Sequence, residues 1–265
     1  MVILAIPIGL LIGLSLGALG GGGSILTVPA LVYLLGQNPH SSTTASLIIV
    51  GVTALAGMGV HWRARRVRAG AGLVFGVLGA GGSYLGSRLS ASVSPDALLA
   101  AFSVLIAMAA VTMLRRRVAA GAGRAPATLP AASGGGTAHA PLSPPRVVLA
   151  ATAVGLLTGF FGVGGGFVVV PTLVLVLGFD MATAVGTSLL VIAINSATAL
   201  ASRLFHQAHL DPALLAAFTL AAIAGAFAGG RVASRTRPER LAQGFAVLLL
   251  AVAVYTAARS VPGLI

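Results

Sequence analysis

Long apolar runs alternate with short polar breaks along the whole chain. Val2–Leu19 is apolar and ends in a glycine cluster, Gly20–Gly23. Ile25–Leu35 follows, about half a bilayer thickness if helical. After the polar stretch Gly36–Thr44 come the spans Ala45–Val60, Ala69–Leu89 and Ala97–Leu114. Residues 118–145 are of another kind, rich in Ala, Gly, Pro, Ser and Thr, and read as a flexible linker. The pattern then starts again: Val147–Phe161, a second glycine cluster over Gly162–Gly166, the short piece Phe167–Leu177, and the spans Thr183–Ser202, Pro212–Val232 and Leu241–Ala258. Runs of roughly 17–21 residues match the hydrocarbon core of a bilayer. The short alternating strands of a membrane barrel are absent from the pattern. The chain is expected to be all-α: a polytopic helical membrane protein.

The second half repeats the first. Pro29 and Pro171, Gly36 and Gly178, and Ser46-Leu47 and Ser188-Leu189 are each 142 positions apart. After one inserted residue, Gly82, Gly86, Arg88 and Pro95 match Gly225, Gly229, Arg231 and Pro238 at 143. Such internal self-similarity predicts one fold built from two related halves, 1–117 and 146–265.

Composition sharpens this picture. The chain has 265 residues, 57% hydrophobic and 8% charged, against about 25% charged in a soluble protein. A net charge of +12 would suit nucleic acid, but every basic residue is an arginine between or at the ends of apolar runs, so no nucleic-acid partner is expected. Assigning successive loops to alternate faces puts thirteen arginines on one side and three on the other. Equivalent loops of the two halves carry opposite bias: 61–68 is rich where 203–211 is poor, and Arg88 is alone where 231–240 is rich. With the rich side cytoplasmic, the halves are expected to be inverted repeats with both termini outside the cytoplasm. Each glycine cluster then sits in a hairpin, either a full span with a short return or a re-entrant pair. With no basic n-region, the first helix reads as retained rather than as a signal peptide.

Little of the usual catalytic chemistry is available. There is no cysteine, and the four acids, Asp96, Asp180, Asp211 and Glu239, fall at breaks and turns, so no intramembrane proton relay is visible. His206 and His209 beside Asp211 mimic a metal spacing, but no third histidine is near, and no metal or cofactor is expected. Neither glycine cluster continues into the Lys-Ser/Thr of a phosphate loop.

The candidate site is the doubled helix break. Irregular backbone at membrane depth survives only where protein or a water-filled cavity covers it. A short helix starting after Gly20, Gly21, Gly22, Gly23 and Ser24, or after Gly162, Gly164, Gly165 and Gly166, presents free N–H groups to an anion. Uncharged donors follow each break: Thr44 and Ser46 in the first half, Thr187 and Ser188 in the second, with Asn195 further along. Close helix packing is the other use of such glycines, and it is the reading for Gly76, Gly79, Gly82, Gly86, Gly225 and Gly229. The lone arginines read as topology signals. A transporter for a small anion, a passive anion channel, and a membrane-embedded enzyme or assembly factor remain the function classes.

The pattern G-x-G-G-G-x-x-x-x-P-x-L at Gly162–Leu173, its near copy at Gly20–Leu31, A-S-L at Ala45–Leu47, T-S-L at Thr187–Leu189 and Asn195-Ser196 together resemble the sulfite exporter TauE/SafE family of membrane permeases. The resemblance covers both halves. It implies transport of sulfur-containing anions, sulfite or organosulfonates, across the cytoplasmic membrane, usually outward. The first half departs from the pattern in Ala18 and Leu19, a fourth glycine at Gly20 and Ser24 after the run, and has Thr53 where the second has Asn195.

Overall fold

The computed structural model describes residues 2–90, 144–162, 165–175, 177–203 and 211–236, with isolated positions between 92 and 108 and between 243 and 251. The linker as far as residue 143, Gly164, the histidines His206 and His209, and most of the spans expected at 97–114 and 241–258 lie outside the described residues. Regular structure among the described residues is helical: α1 Val2–Leu19, α2 Ser24–Pro29, α3 Pro39–Arg63, α4 Ala69–Ser90, α5 Pro144–Phe161, α6 Gly166–Leu175, α7 Met181–Arg203 and α8 Pro212–Arg235. Of these α3, α4, α7 and α8 are long and apolar enough to cross a bilayer. The protein is a helical membrane protein.

Its surface is as apolar as its core, and polar side chains are buried among the hydrophobic ones. Ile3, Leu11, Val74, Val77, Leu149 and Leu220 face outward, while Ser46, Thr53, Ser83, Asn195 and Ser196 are buried. Lipid solvates the large side chains, so burial of apolar surface does not hold the helices together; close packing must. Glycine supplies it. Gly9, Gly13 and Gly17, one per turn on α1, lie against the carbonyls of Phe218, Ala222 and Ala226 on α8, and Gly225 and Gly229 of α8 lie against those of Leu10 and Leu14. Gly82 and Gly86 of α4 meet the carbonyls of Thr152 and Leu156 on α5, and Gly155 and Gly159 meet those of Gly79 and Ser83. A β-carbon at most of these positions would overlap the facing backbone. The stripes expected from sequence to be packing surfaces are packing surfaces, and α1 and α5 contribute further glycines to them.

These pairings exchange partners between the halves. The first helix of each half packs against the fourth described helix of the other, α1 with α8 and α5 with α4, and these are the most extensive helix contacts. Helices α3 and α7 pack on each other, and each also packs on the fourth helix of the opposite half.

Local chemistry sets the helix ends. Pro29 has no N–H to continue the ladder, and the backbone widens into a π-turn over Ala30–Leu34. Gly36 (φ +63°) and Gly178 (φ +68°) then take the left-handed conformation that glycine alone adopts freely. Beyond them Gln37 N–H donates to Leu31 O at 2.9 Å and Phe179 N–H to Leu173 O at 3.2 Å. The next helices start earlier than their apolar runs. Asn38 accepts from His40 N–H at 3.0 Å with Pro39 in the first turn, so α3 begins at Pro39 rather than Ala45. Asp180 accepts from Thr183 N–H at 3.0 Å ahead of α7, and Asp211 from Ala213 and Leu214 ahead of α8. The polar first turn of α3 is kept helical because Thr43 and Thr44 hydroxyls donate back to His40 O.

Gly13→Val is expected to lower stability by about 3 kcal/mol or prevent α1 from docking. Gly81→Ala, whose β-carbon meets nothing within 4 Å, is expected to gain up to about 1 kcal/mol. Chemical unfolding in detergent micelles, followed by circular dichroism, separates the two. At Asp180, burial pushes the carboxyl up, but the Thr183 hydroxyl and the N–H groups of Thr183 and Ala182 outweigh it and hold the pKa below the usual range. A depressed folded pKa stabilises at neutral pH, and that stabilisation is lost as pH falls through it, so acid destabilisation is expected below about pH 4. Asp180→Asn should lower neutral stability and shrink that acid-sensitive part of the melting curve.

Candidate functional site

The two glycine clusters end the helices that carry them. Gly20 (φ +68°) and Gly162 (φ +64°) are both left-handed, and Gly162 N–H donates to Thr158 O at 3.0 Å as an αL cap. After each break the chain turns back on the helix it has left. Gly23 lies against Ile12 and Leu16 of α1, and Gly165 (φ +66°) against Thr158 of α5. The short helices α2 and α6 start from these turns.

The turns meet in the interior. The backbones of Gly21 and Gly166 touch, so a β-carbon on either would overlap the other, and the Ile192 side chain of α7 closes on Gly166. Gly20 rests on Val185 and Ser188 of α7, and Gly162 rests on Thr43 of α3. Each break therefore docks on the third described helix of the opposite half. Of the sequence candidates, the structure brings Gly20, Gly21, Gly162, Gly165, Gly166 and Ser188 into this crossing, with Gly22 in the tight turn Gly20–Gly22 and Gly23 at its end.

Several candidate hydroxyls are already engaged. Ser24 donates to Gly21 O at 2.7 Å, Ser188 to Val185 O at 2.8 Å and Thr44 to His40 O at 3.2 Å. Thr187 accepts from Arg68 N–H at 3.1 Å, fastening the connection after α3 to the start of α7. Ser46 is different: its hydroxyl is buried with no hydrogen-bond partner. Asn195 is also fully buried, and both its amide atoms lack partners, as do the hydroxyls of Ser42, Thr53 and Ser196. Asn195 does not sit at the crossing. It lies one turn beyond Ile192, in the seam between α7 and α4, where Gly79 leaves room for the amide. There Ser83 donates to Asn195 O at 2.9 Å, and one turn on Ser87 donates to Ala199 O at 3.2 Å.

The same seam ends in a residue the sequence reading treated only as a topology signal. Arg203, the last residue of α7, turns its guanidinium inward. Its Nε donates to Ser87 Oγ at 2.6 Å, one terminal nitrogen to Thr43 Oγ1 at 2.7 Å and Thr44 Oγ1 at 3.3 Å, and the other to Gly159 O at 3.1 Å. One side chain thus ties together α3, α4, α5 and α7, beside the break at Gly162. The repeat offset of 142 maps Arg203 onto His61, and Gly159 onto Gly17. His61 is buried and its Nε2–H donates to Gly17 O at 2.9 Å. Carrying the offset into the loops would have paired these residues; counting charge alone did not.

Fold and interior define a polytopic helical membrane protein whose polar groups face inward around a crossing of irregular backbone, the organisation of a membrane transporter. The chain belongs to the sulfite exporter TauE/SafE family, whose model matches residues 5–256. It is 33% identical over 267 residues to a "Probable membrane transporter protein" of Xylella fastidiosa (strain 9a5c), covering 97% of this chain and 95% of that one. It is 26% identical over 223 residues to the "Probable membrane transporter protein YdhB" of Bacillus subtilis (strain 168), covering 83% of this chain and 86% of the relative. No solved structure matches.

Because neither amide atom of Asn195 has a partner, Asn195→Ala forfeits no hydrogen bond and is expected to leave the unfolding midpoint unchanged or raised. Ser83→Ala, which removes a made bond, is expected to cost about 1 kcal/mol. A large loss in Asn195→Ala, measured by the same detergent unfolding, would show that the amide is structural.

Proposed function

We propose that this protein moves a small sulfur-containing anion, sulfite or an organosulfonate, outward across the cytoplasmic membrane, through a site at the crossing of its two glycine turns. The observation that carries this reading is the backbone contact of Gly21 with Gly166, both buried inside the bundle. A bilayer protein has no reason to bring two irregular turns to one interior point unless something polar is accommodated there. The residues we assign to the site and the path beside it are Gly20, Gly21, Gly22, Gly23, Ser24, Thr44 and Ser46 from one half and Gly162, Gly164, Gly165, Gly166, Thr187 and Ser188 from the other, with Asn195 one turn beyond the crossing in the seam between α7 and α4. Glycine lets an anion approach main-chain N–H groups closely, and unpartnered donors such as Ser46 and Asn195 are ready to replace its water. The halves are taken as inverted, with the arginine-rich ends cytoplasmic. Their reciprocal pairing, α1 with α8 and α5 with α4, supports that arrangement. The membership of the family supports the class of cargo.

Proteoliposomes loaded with sulfite, sulfoacetate, thiosulfate or sulfate test it. The expected outcome is saturable counterflow of at least one sulfur anion, and Ser46→Ala is expected to raise its KM without loss of folded protein. Conductance without saturation would make the protein a channel. No flux of any anion would overturn the reading.

A further inference from the structure

We propose that Arg203 is the charge-recognition residue of the transport path: the anion takes the guanidinium from the neutral oxygens that hold it in the empty protein. The inference rests on the anion reading above and names the side chain that would read the charge.

Three observations carry it. First, Arg203 is half-buried at the end of α7, and all four of its hydrogen bonds go to uncharged oxygens; no carboxylate bonds to it among the described residues. A cation drawn in among helices without a counter-ion is costly, and an ionisable side chain so placed in a membrane protein marks a path or a ligand. Second, the fold does not need a fixed charge there. The repeat-related His61 makes the equivalent bond to Gly17 O, and Ala226 and Gly230 occupy the positions of Ser83 and Ser87. The scaffold closes both ends in a similar way, but the guanidinium near the α3 end, Arg66, bonds only the carbonyls of Ala233 and Ser234, whereas Arg203 sits on a seam of hydroxyls. Third, the holding groups are suited to release. Thr43, Thr44 and Ser87 direct their protons to His40 O and Ala199 O, so they offer Arg203 only lone pairs. A two-oxygen face of a sulfite or sulfonate group fits the planar fork better than these scattered acceptors and adds the missing charge. Thr43 also touches Gly162, so the guanidinium stands directly beside the glycine turn. Freeing it would uncouple α3 and α4 from α5 and α7 at that end.

The test is sulfite counterflow in proteoliposomes, with KM and maximal rate measured separately, alongside melting of the detergent-solubilised protein with and without sulfite. R203Q is expected to raise KM about 30-fold or more and to abolish the sulfite-induced rise in melting temperature. R203K, which keeps the charge and loses the fork, should fall between R203Q and wild type. The double variant T43V/S87A removes the two shortest of the four competing acceptors and keeps Arg203. It is expected to lower KM while lowering melting temperature, whereas a purely structural Arg203 predicts destabilisation at unchanged KM. If R203Q does not fold, T43V/S87A decides. Unchanged KM in a folded R203Q, or in T43V/S87A, overturns the proposal while wild-type counterflow preserves the transport reading. If wild type moves none of sulfite, sulfoacetate, thiosulfate and sulfate, the transport reading fails; an Arg203-dependent melting shift with sulfite would then uphold the recognition role, and its absence would end both.

Discussion

A carbonyl oxygen resting on a glycine Cα is the contact from which this structure is built. In water, helices associate by hiding large apolar side chains; in lipid those side chains lose nothing by facing outward. What is left is dispersion and weak Cα–H···O bonding between backbones that come very close, and both fall off steeply with distance. Only glycine permits that approach. Gly13 and Gly17 against α8, and Gly155 and Gly159 against α4, therefore do the work that leucine and phenylalanine do in a soluble core. At Gly21 and Gly166 the same closeness is used differently, to bring two turns together where no continuous helix passes.

The polar interior follows from this dense packing. Where helices pack this closely, most buried hydroxyls bond a carbonyl in their own helix or a neighbour. Thr158 and Ser202 do so within their helices, and Ser83 and Ser87 do so across the α4–α7 seam. The groups left over, Ser42, Ser46, Thr53, Asn195 and Ser196, lie on α3 and α7, the two helices on which the glycine turns dock.

Much of this could be read from the chain. Hydrophobic runs placed α1 and α4 almost to the residue, because lipid imposes one periodicity on every span. The glycine turns were legible as helix breaks, since no other residue takes the φ of Gly20, Gly162, Gly36 and Gly178 at little cost. Helix starts were less legible. The run His40–Thr44 reads as a polar loop, and only the Asn38-Pro39 cap and the hydroxyls bonding back to His40 O make it helical. Asn195 stands in the sequence as a candidate donor for the site, and its place in the seam with Gly79 depends on which helices pair, which composition does not encode. Arg203 was counted and not understood: an arginine at a helix end snorkels outward in most membrane proteins, and only the hydroxyls of Thr43 and Ser87, distant in sequence, turn it inward.

The exchange of partners between halves has a consequence for how the chain is made. Of the described helices α1 leaves the ribosome first, and α8, whose carbonyls its glycines fit, is the last of them to follow. During synthesis α1 must therefore wait in the membrane with a bare glycine face, held only by lipid or by the insertion machinery. The first half cannot settle as a finished module while the second is still being translated. Severing the gene between the halves would yield two fragments that each lack the mate of their opening helix, and that regain it only by finding one another in the bilayer.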